Sequence, residues 1–117
     1  MDIQAIIFDF SKAPCEEAKN VLATLHKRGY RLAANFVCDA CDATFERKEN
    51  ASREALLSAA AMLGLAPGEC AVVESECERL FAAKDSGMTA IGVGEASTCI
   101  YADICLGNIS ELTDIFV

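Results

Sequence analysis

Basic side chains are scarce in this sequence. Ten lysines and arginines stand against 18 aspartates and glutamates in 117 residues, for a net charge of −8. A surface of that sign repels a nucleic-acid backbone, so no nucleic-acid partner is expected. Histidine is scarcer still, with His26 alone, and no second CxxC accompanies Cys38 and Cys41. A zinc site needs about four N/S ligands, and the second closely spaced pair that would complete one is missing. No apolar run approaches the length of a membrane span. The N-terminus carries Asp2 and no basic stretch, so no secretory signal is read and the cytoplasm is expected. Repeats, linkers and low-complexity stretches are also missing, which leaves one domain over residues 1–117 with a single core.

What is present is apolar. Hydrophobic residues make up 53% of the chain and the mean hydropathy is +0.27, rich for a small domain, which points to apolar surface covered by a partner. Seven cysteines are many for this length. Their odd number and the missing export signal argue against a disulfide framework; those inside apolar runs read as small buried hydrophobes, and Cys70 and Cys77 as helix and core packing. The alternative use is Cys38-Asp39-Ala40-Cys41 as a redox pair or half of a metal site.

Gln4-Ala5-Ile6-Ile7-Phe8-Asp9-Phe10-Ser11 is an apolar run that stops at a carboxylate. Runs of this kind form strands buried on both faces, and open α/β sheets place their chemistry at the carboxyl ends of such strands. A helix is expected after Pro14, with Glu16 and Glu17 at its start and Gly29 as its stop. Arg31 to Val37 reads as a second strand, and Cys38 to Asn50 is polar and carries no clear pattern. A second helix runs from Ser52 to Gly64. Cys70 to Val73 is a third strand, closing on Glu74, and a third helix spans Cys77 to Ser86. Thr89 to Val93 and Ala102 to Leu106 are the last strands. A final helix over Ile109 to Phe116 has Ser110 as its cap candidate. Strands alternating with helices specify a parallel sheet with right-handed crossovers.

The stretch "LGLAPGECAVVESECERLFAAKDSGMTAIGVG", followed by "ADICLGNISELT", resembles the C-terminal half of a haloacid dehalogenase-superfamily phosphotransferase. Within that superfamily it is most similar to the β-phosphoglucomutase branch. "IQAIIFDF" and "EEAKNVLATLHKRGYRLA" match the same family's first strand and the helix–strand unit after its cap. The fold class implied is α/β: a three-layer Rossmann-like core with a parallel sheet of about five strands and no cap domain. In chain numbering the expected order is 2-1-3-4-5, because Phe36 to Asn50 is short for the family's further helix and strand.

The resemblance implies roles residue by residue. Asp9 matches the phosphoryl-accepting nucleophile, while Ser11 stands at the general acid/base, worth roughly 10²–10⁴ in rate. Phe36 stands where the family has a phosphate-binding Ser or Thr, with Asn35 one residue away as a substitute donor. Asn50 stands at the phosphate-neutralising Lys, with Lys48 nearby. Glu74 matches one Mg²⁺ ligand and Ser75 replaces the second, so Asp9 and Glu74 are the candidate metal ligands, with Glu76 or Asp39 to complete the shell. Only Lys12 and Ala13 stand where the family inserts its cap.

Three readings follow. The first is a degenerate relative that no longer transfers phosphate and acts as a binding or assembly module, with self-association expected. The second is a weak Mg²⁺-dependent phosphatase using Asp9, acting on a phosphorylated small molecule. The third is a small redox or metal-binding protein built on Cys38 and Cys41. Ser11 and Ser75 lack an evident base for nucleophilic work of their own.

Overall fold

The apolar runs of the sequence become the strands of one parallel sheet. In the computed structural model, residues 2–47 and 52–117 are described. Six strands form: β1 (Ala5–Phe8), β2 (Arg31–Ala34), β3 (Ala43–Thr44), β4 (Cys70–Glu74), β5 (Thr89–Val93) and β6 (Ile104–Leu106). Their order across the sheet is β3-β2-β1-β4-β5-β6, and all neighbours are parallel. Four α-helices cover it: α1 (Glu16–Lys27), α2 (Ser52–Met62), α3 (Cys77–Asp85) and α4 (Leu112–Ile115).

Alternate residues of each strand serve opposite faces, which makes three layers. Ile7, Ala33 and Val72 meet Leu56 and Ala59 of α2 and Leu80 and Ala83 of α3. On the other face Ile6, Phe8, Leu32, Val73 and Ile91 meet Val21, Leu22 and Leu25 of α1 and Leu112 of α4. Helix α1 is followed by Gly29 at φ 95°, a left-handed residue that lets the chain turn into β2.

The expected loss of the outer strand does not occur. A sixth strand of two residues, β3, pairs with β2 through Ala33↔Ala43 and Ala34↔Thr44. The physical reason lies just before it. The Asp42 carboxylate accepts from the Leu32 N–H (2.9 Å), and the Asp42 N–H donates to the Leu32 carbonyl (2.7 Å). Side chain and backbone together thus extend a ladder that two residues alone cannot carry. Asp103 repeats the device at the opposite edge, bonding the backbone of Ala90 in the same two ways (both 2.8 Å) before β6.

Two further expectations change. The final turn is capped by Asn108, whose side chain accepts from the Ser110 N–H while Glu111 accepts from the Asn108 N–H. Ser110 lies inside the turn, because the four-residue α4 is preceded by a 3-10 turn over Ile109–Glu111. The thiols are not all reduced either. Cys77, at the start of α3, is disulfide-bonded to Cys99, 22 residues on. The loop carrying Cys99 leaves β5 closely, for a Cβ at Gly92 would lie 2.1 Å from the Ala96 carbonyl oxygen. Only glycine fits there.

Closing a loop of that length stabilises a fold by roughly 3 kcal/mol in the chain-entropy account. Reductant, or Cys99→Ser, is therefore expected to lower the urea midpoint by a corresponding amount while circular dichroism keeps its native shape. An unchanged midpoint would show that the bond does not constrain the unfolded chain.

Candidate functional site

The register Phe8↔Val73 between β1 and β4, continued one residue, sets Asp9 beside Glu74 at the carboxyl end of the sheet. The Asp9 N–H donates to the Val73 carbonyl (3.2 Å). Both carboxyl groups are buried, Asp9 at 2% and Glu74 at 0% exposure. Two carboxylates so placed repel each other and lack water, so the fold must answer their charge.

Two arginines do so. Arg47, from the stretch after β3, places Nη1 2.8 Å from Asp9 Oδ1 and 3.3 Å from Glu74 Oε2. Its Nη2 lies 2.7 Å from Glu76. Arg79, in the first turn of α3, places Nε 3.1 Å from Asp9 Oδ2 and 3.4 Å from Glu74 Oε2. Glu74 Oε1 accepts from the backbone N–H groups of Ser75 (2.9 Å) and Glu76 (3.1 Å). Burial works against the Arg47 charge, but Asp9, Glu74 and Glu76 outweigh it and raise its pKa.

Burial first, and then the Asp9 charge, push the Glu74 carboxyl up to about 8, with Arg47 pulling the other way. A side-chain hydrogen bond to Asp9 favours the protonated form further.

Mg²⁺ asks for oxygen ligands at about 2.0–2.1 Å in near-octahedral array. Here both Asp9 oxygens accept from guanidinium groups, and Glu74 divides its oxygens between backbone N–H groups and the same arginines. A dication would sit against two positive charges. The donor set does not fit the ion, and among the described residues no three His, Cys, Asp or Glu side chains are grouped to hold a metal.

The other sequence candidates are placed as follows. Asn35 spends its carboxamide on a clasp, accepting from the Phe10 N–H (2.9 Å) and donating to the Phe10 carbonyl (2.6 Å). Phe36 stacks on Phe10, with ring centroids 5.8 Å apart. Ser11 and Ser75 line an open cleft of about 500 Å³ together with Lys12, Glu76 and Glu95; neither Asp9 nor Glu74 lines it. Glu76 joins the site through Arg47, whereas Asp39 lines a separate recess beside Lys19 and Val37. Lys48 and Asn50 lie outside the described residues.

Cys38 and Cys41 form a tight turn, the Cys41 N–H donating to the Cys38 carbonyl (3.1 Å), and both thiols are free. Burial and then Cys38 push the Cys41 thiol up to about 12, far from a reactive thiolate. His26 lies exposed in the last turn of α1.

Sequence reasoning missed Arg47 and Arg79. For Arg79 a signal existed: a cation in the first turn of a helix opposes the helix dipole, so it needs a compensating partner. Arg47 offered none, since its partners are 27 to 38 residues distant.

The raised Glu74 pKa carries a sign. A carboxyl that keeps its proton longer when folded stabilises the fold fully below the ordinary value, and that contribution is lost as pH rises through about 8. The urea midpoint is expected to fall between about pH 5 and about pH 8.5, and Glu74→Gln to flatten that fall. An equal fall in the variant would assign the titration to another group.

No family model matches the chain. β-Phosphoglucomutase of Bacillus subtilis (strain 168) is 36% identical over 72 residues, 62% of this chain and 32% of that protein. The chain thus spans about a third of the length of the curated relative it matches. Among solved structures, a haloacid dehalogenase-like hydrolase from Streptococcus pneumoniae superposes with a TM-score of 0.76 at 12% identity, covering 99% of both chains. A haloacid dehalogenase-superfamily phosphatase from Thermococcus onnurineus gives 0.70 at 23% identity over 82% of this chain and 54% of that one. β-Phosphoglucomutase from Clostridium difficile gives 0.68 at 16% identity over 80% and 50%. Strand order, the paired carboxyl groups ending β1 and β4, and the sequence match agree: the chain has the fold of the haloacid dehalogenase-like structures and resembles β-phosphoglucomutase in sequence.

Proposed function

We propose that this chain is a phosphotransferase-type core that no longer transfers phosphoryl groups and acts as a binding or assembly module. One observation carries the reading: both oxygens of Asp9 already accept from guanidinium groups, at 2.8 and 3.1 Å. A nucleophilic carboxylate must bring a free oxygen to about 3–3.5 Å from the reacting atom. Its acid/base position is Ser11, whose hydroxyl does not exchange protons near neutrality.

The cleft supports the same reading. Among the described residues lining it, Lys12 is the one cation, beside Glu95 and the Arg47-paired Glu76, so the cleft offers a phosphorylated ligand little positive charge. Self-association is the partner this reading favours. Phe81 and Ile100 are 52% and 87% exposed, and Phe81 meets Tyr101 edge to face at 5.1 Å, so apolar surface from α3 and the loop after β5 faces outward together.

With Mg²⁺ and a panel of sugar phosphates, the wild-type protein is expected to hydrolyse no faster than Asp9→Asn. Turnover that needs Mg²⁺ and disappears in the variant would establish the alternative, a weak phosphatase with Asp9 as nucleophile. Sedimentation equilibrium is expected to show a dimer or larger species that weakens in Phe81→Ser. A monomer at high concentration would remove the self-association.

A further inference from the structure

The carboxyl pair at the ends of β1 and β4 is bridged in an unusual way. Each arginine touches both acids: Arg47 Nη1 spans Asp9 Oδ1 and Glu74 Oε2, and Arg79 Nε spans Asp9 Oδ2 and the same Glu74 oxygen. A bridging divalent cation has that topology, one centre shared between two carboxyl groups. Two guanidinium groups also bring the charge of one dication. They reach the site from separate parts of the fold, one from beyond the edge strand β3 and one from the first turn of α3. The second placement opposes the helix dipole, so α3 itself gives no reason for it.

We propose that Arg47 and Arg79 together replace a divalent cation as the counter-charge of the Asp9–Glu74 pair, and that their removal uncovers a divalent-cation site in this chain. This rests on the reading of Asp9 as a blocked nucleophile, but it concerns what holds the acids rather than what they catalyse. The guanidinium groups fix the two carboxyl groups within one hydrogen-bonded cluster at all cation concentrations. The wild-type fold is therefore indifferent to Mg²⁺. Without the arginines, Asp9 and Glu74 regain free oxygens side by side, the arrangement a hard cation selects.

The test compares wild type with Arg47→Ala/Arg79→Ala in thermal melts and calorimetry, with MgCl₂ against NaCl of equal ionic strength. Wild type is expected to show no Mg²⁺-dependent shift and no saturable heat. The double variant is expected to melt lower and to gain a saturable upward shift of about 5 °C or more with Mg²⁺. Adding Asp9→Asn to it should abolish that gain. If the alanine pair is unfolded in cation-free buffer, Mg²⁺ should refold it, and Arg47→Gln/Arg79→Gln, which keeps amide donors without the charge, should gain the same shift. Saturable Mg²⁺ binding by wild type overturns the proposal, as does failure of both variant pairs to respond to the ion. Neither readout depends on turnover. An inactive protein that binds Mg²⁺ sinks this inference alone, and cation-independent phosphatase activity lost in Asp9→Asn sinks the blocked-nucleophile reading alone.

Discussion

Two acids buried side by side are the constraint around which this fold is arranged. Parallel pairing of β1 with β4 leaves Asp9 and Glu74 no separation, and burial removes the water that would screen them. Charge in that position is tolerated only with close partners. The fold provides them from two directions, and each direction has structural consequences. Helix α3 must begin directly after β4 for Arg79 to reach Asp9. The chain after β3 must return from the sheet edge toward its centre for Arg47 to do the same. The two-residue strand β3, anchored by Asp42 on Leu32, fixes where that return begins. Buried ion pairs of this kind add little net stability over an apolar replacement, yet losing one partner typically costs about 3–5 kcal/mol. The cluster thus acts as a set.

The parallel sheet and its central strands were legible because their signals are local. Ala5–Phe8, Cys70–Glu74 and Thr89–Val93 are continuous apolar runs, and the helices between them carry one-sided apolar faces. Strand β3 was not legible, since two residues make no pattern and its support is a side-chain bond across ten positions. The Cys77–Cys99 bond was missed for a similar reason: compartment arguments about thiols say nothing of which two meet in space. At the site, Asp9 and Glu74 were found because they end strands. Arg47 and Arg79 were missed because their partners are set by tertiary geometry, with Arg79 70 residues from Asp9 in sequence.

The substituted positions form a consistent group. Asn35 clasps the backbone of Phe10, and Phe36 stacks on the Phe10 ring. Where the resemblance implies a phosphate-binding hydroxyl, this chain has a packed aromatic pair. Ser11 and Ser75 line the cleft while Asp9 and Glu74 are buried and do not, and Glu76, held by Arg47, is the residue common to both.

The Asn35 clasp has a consequence for the architecture of the chain. It moors the exit from β1 at Phe10, and α1 moors the return at Glu16. Between them residues 11–15 cross the open end of the sheet, most of them exposed. Both ends of this short crossing are held independently of its length, and the entropic cost of lengthening a surface loop rises only slowly. The crossing is thus a port into which a whole folded unit can be spliced, or from which one can be excised, while every strand keeps its register.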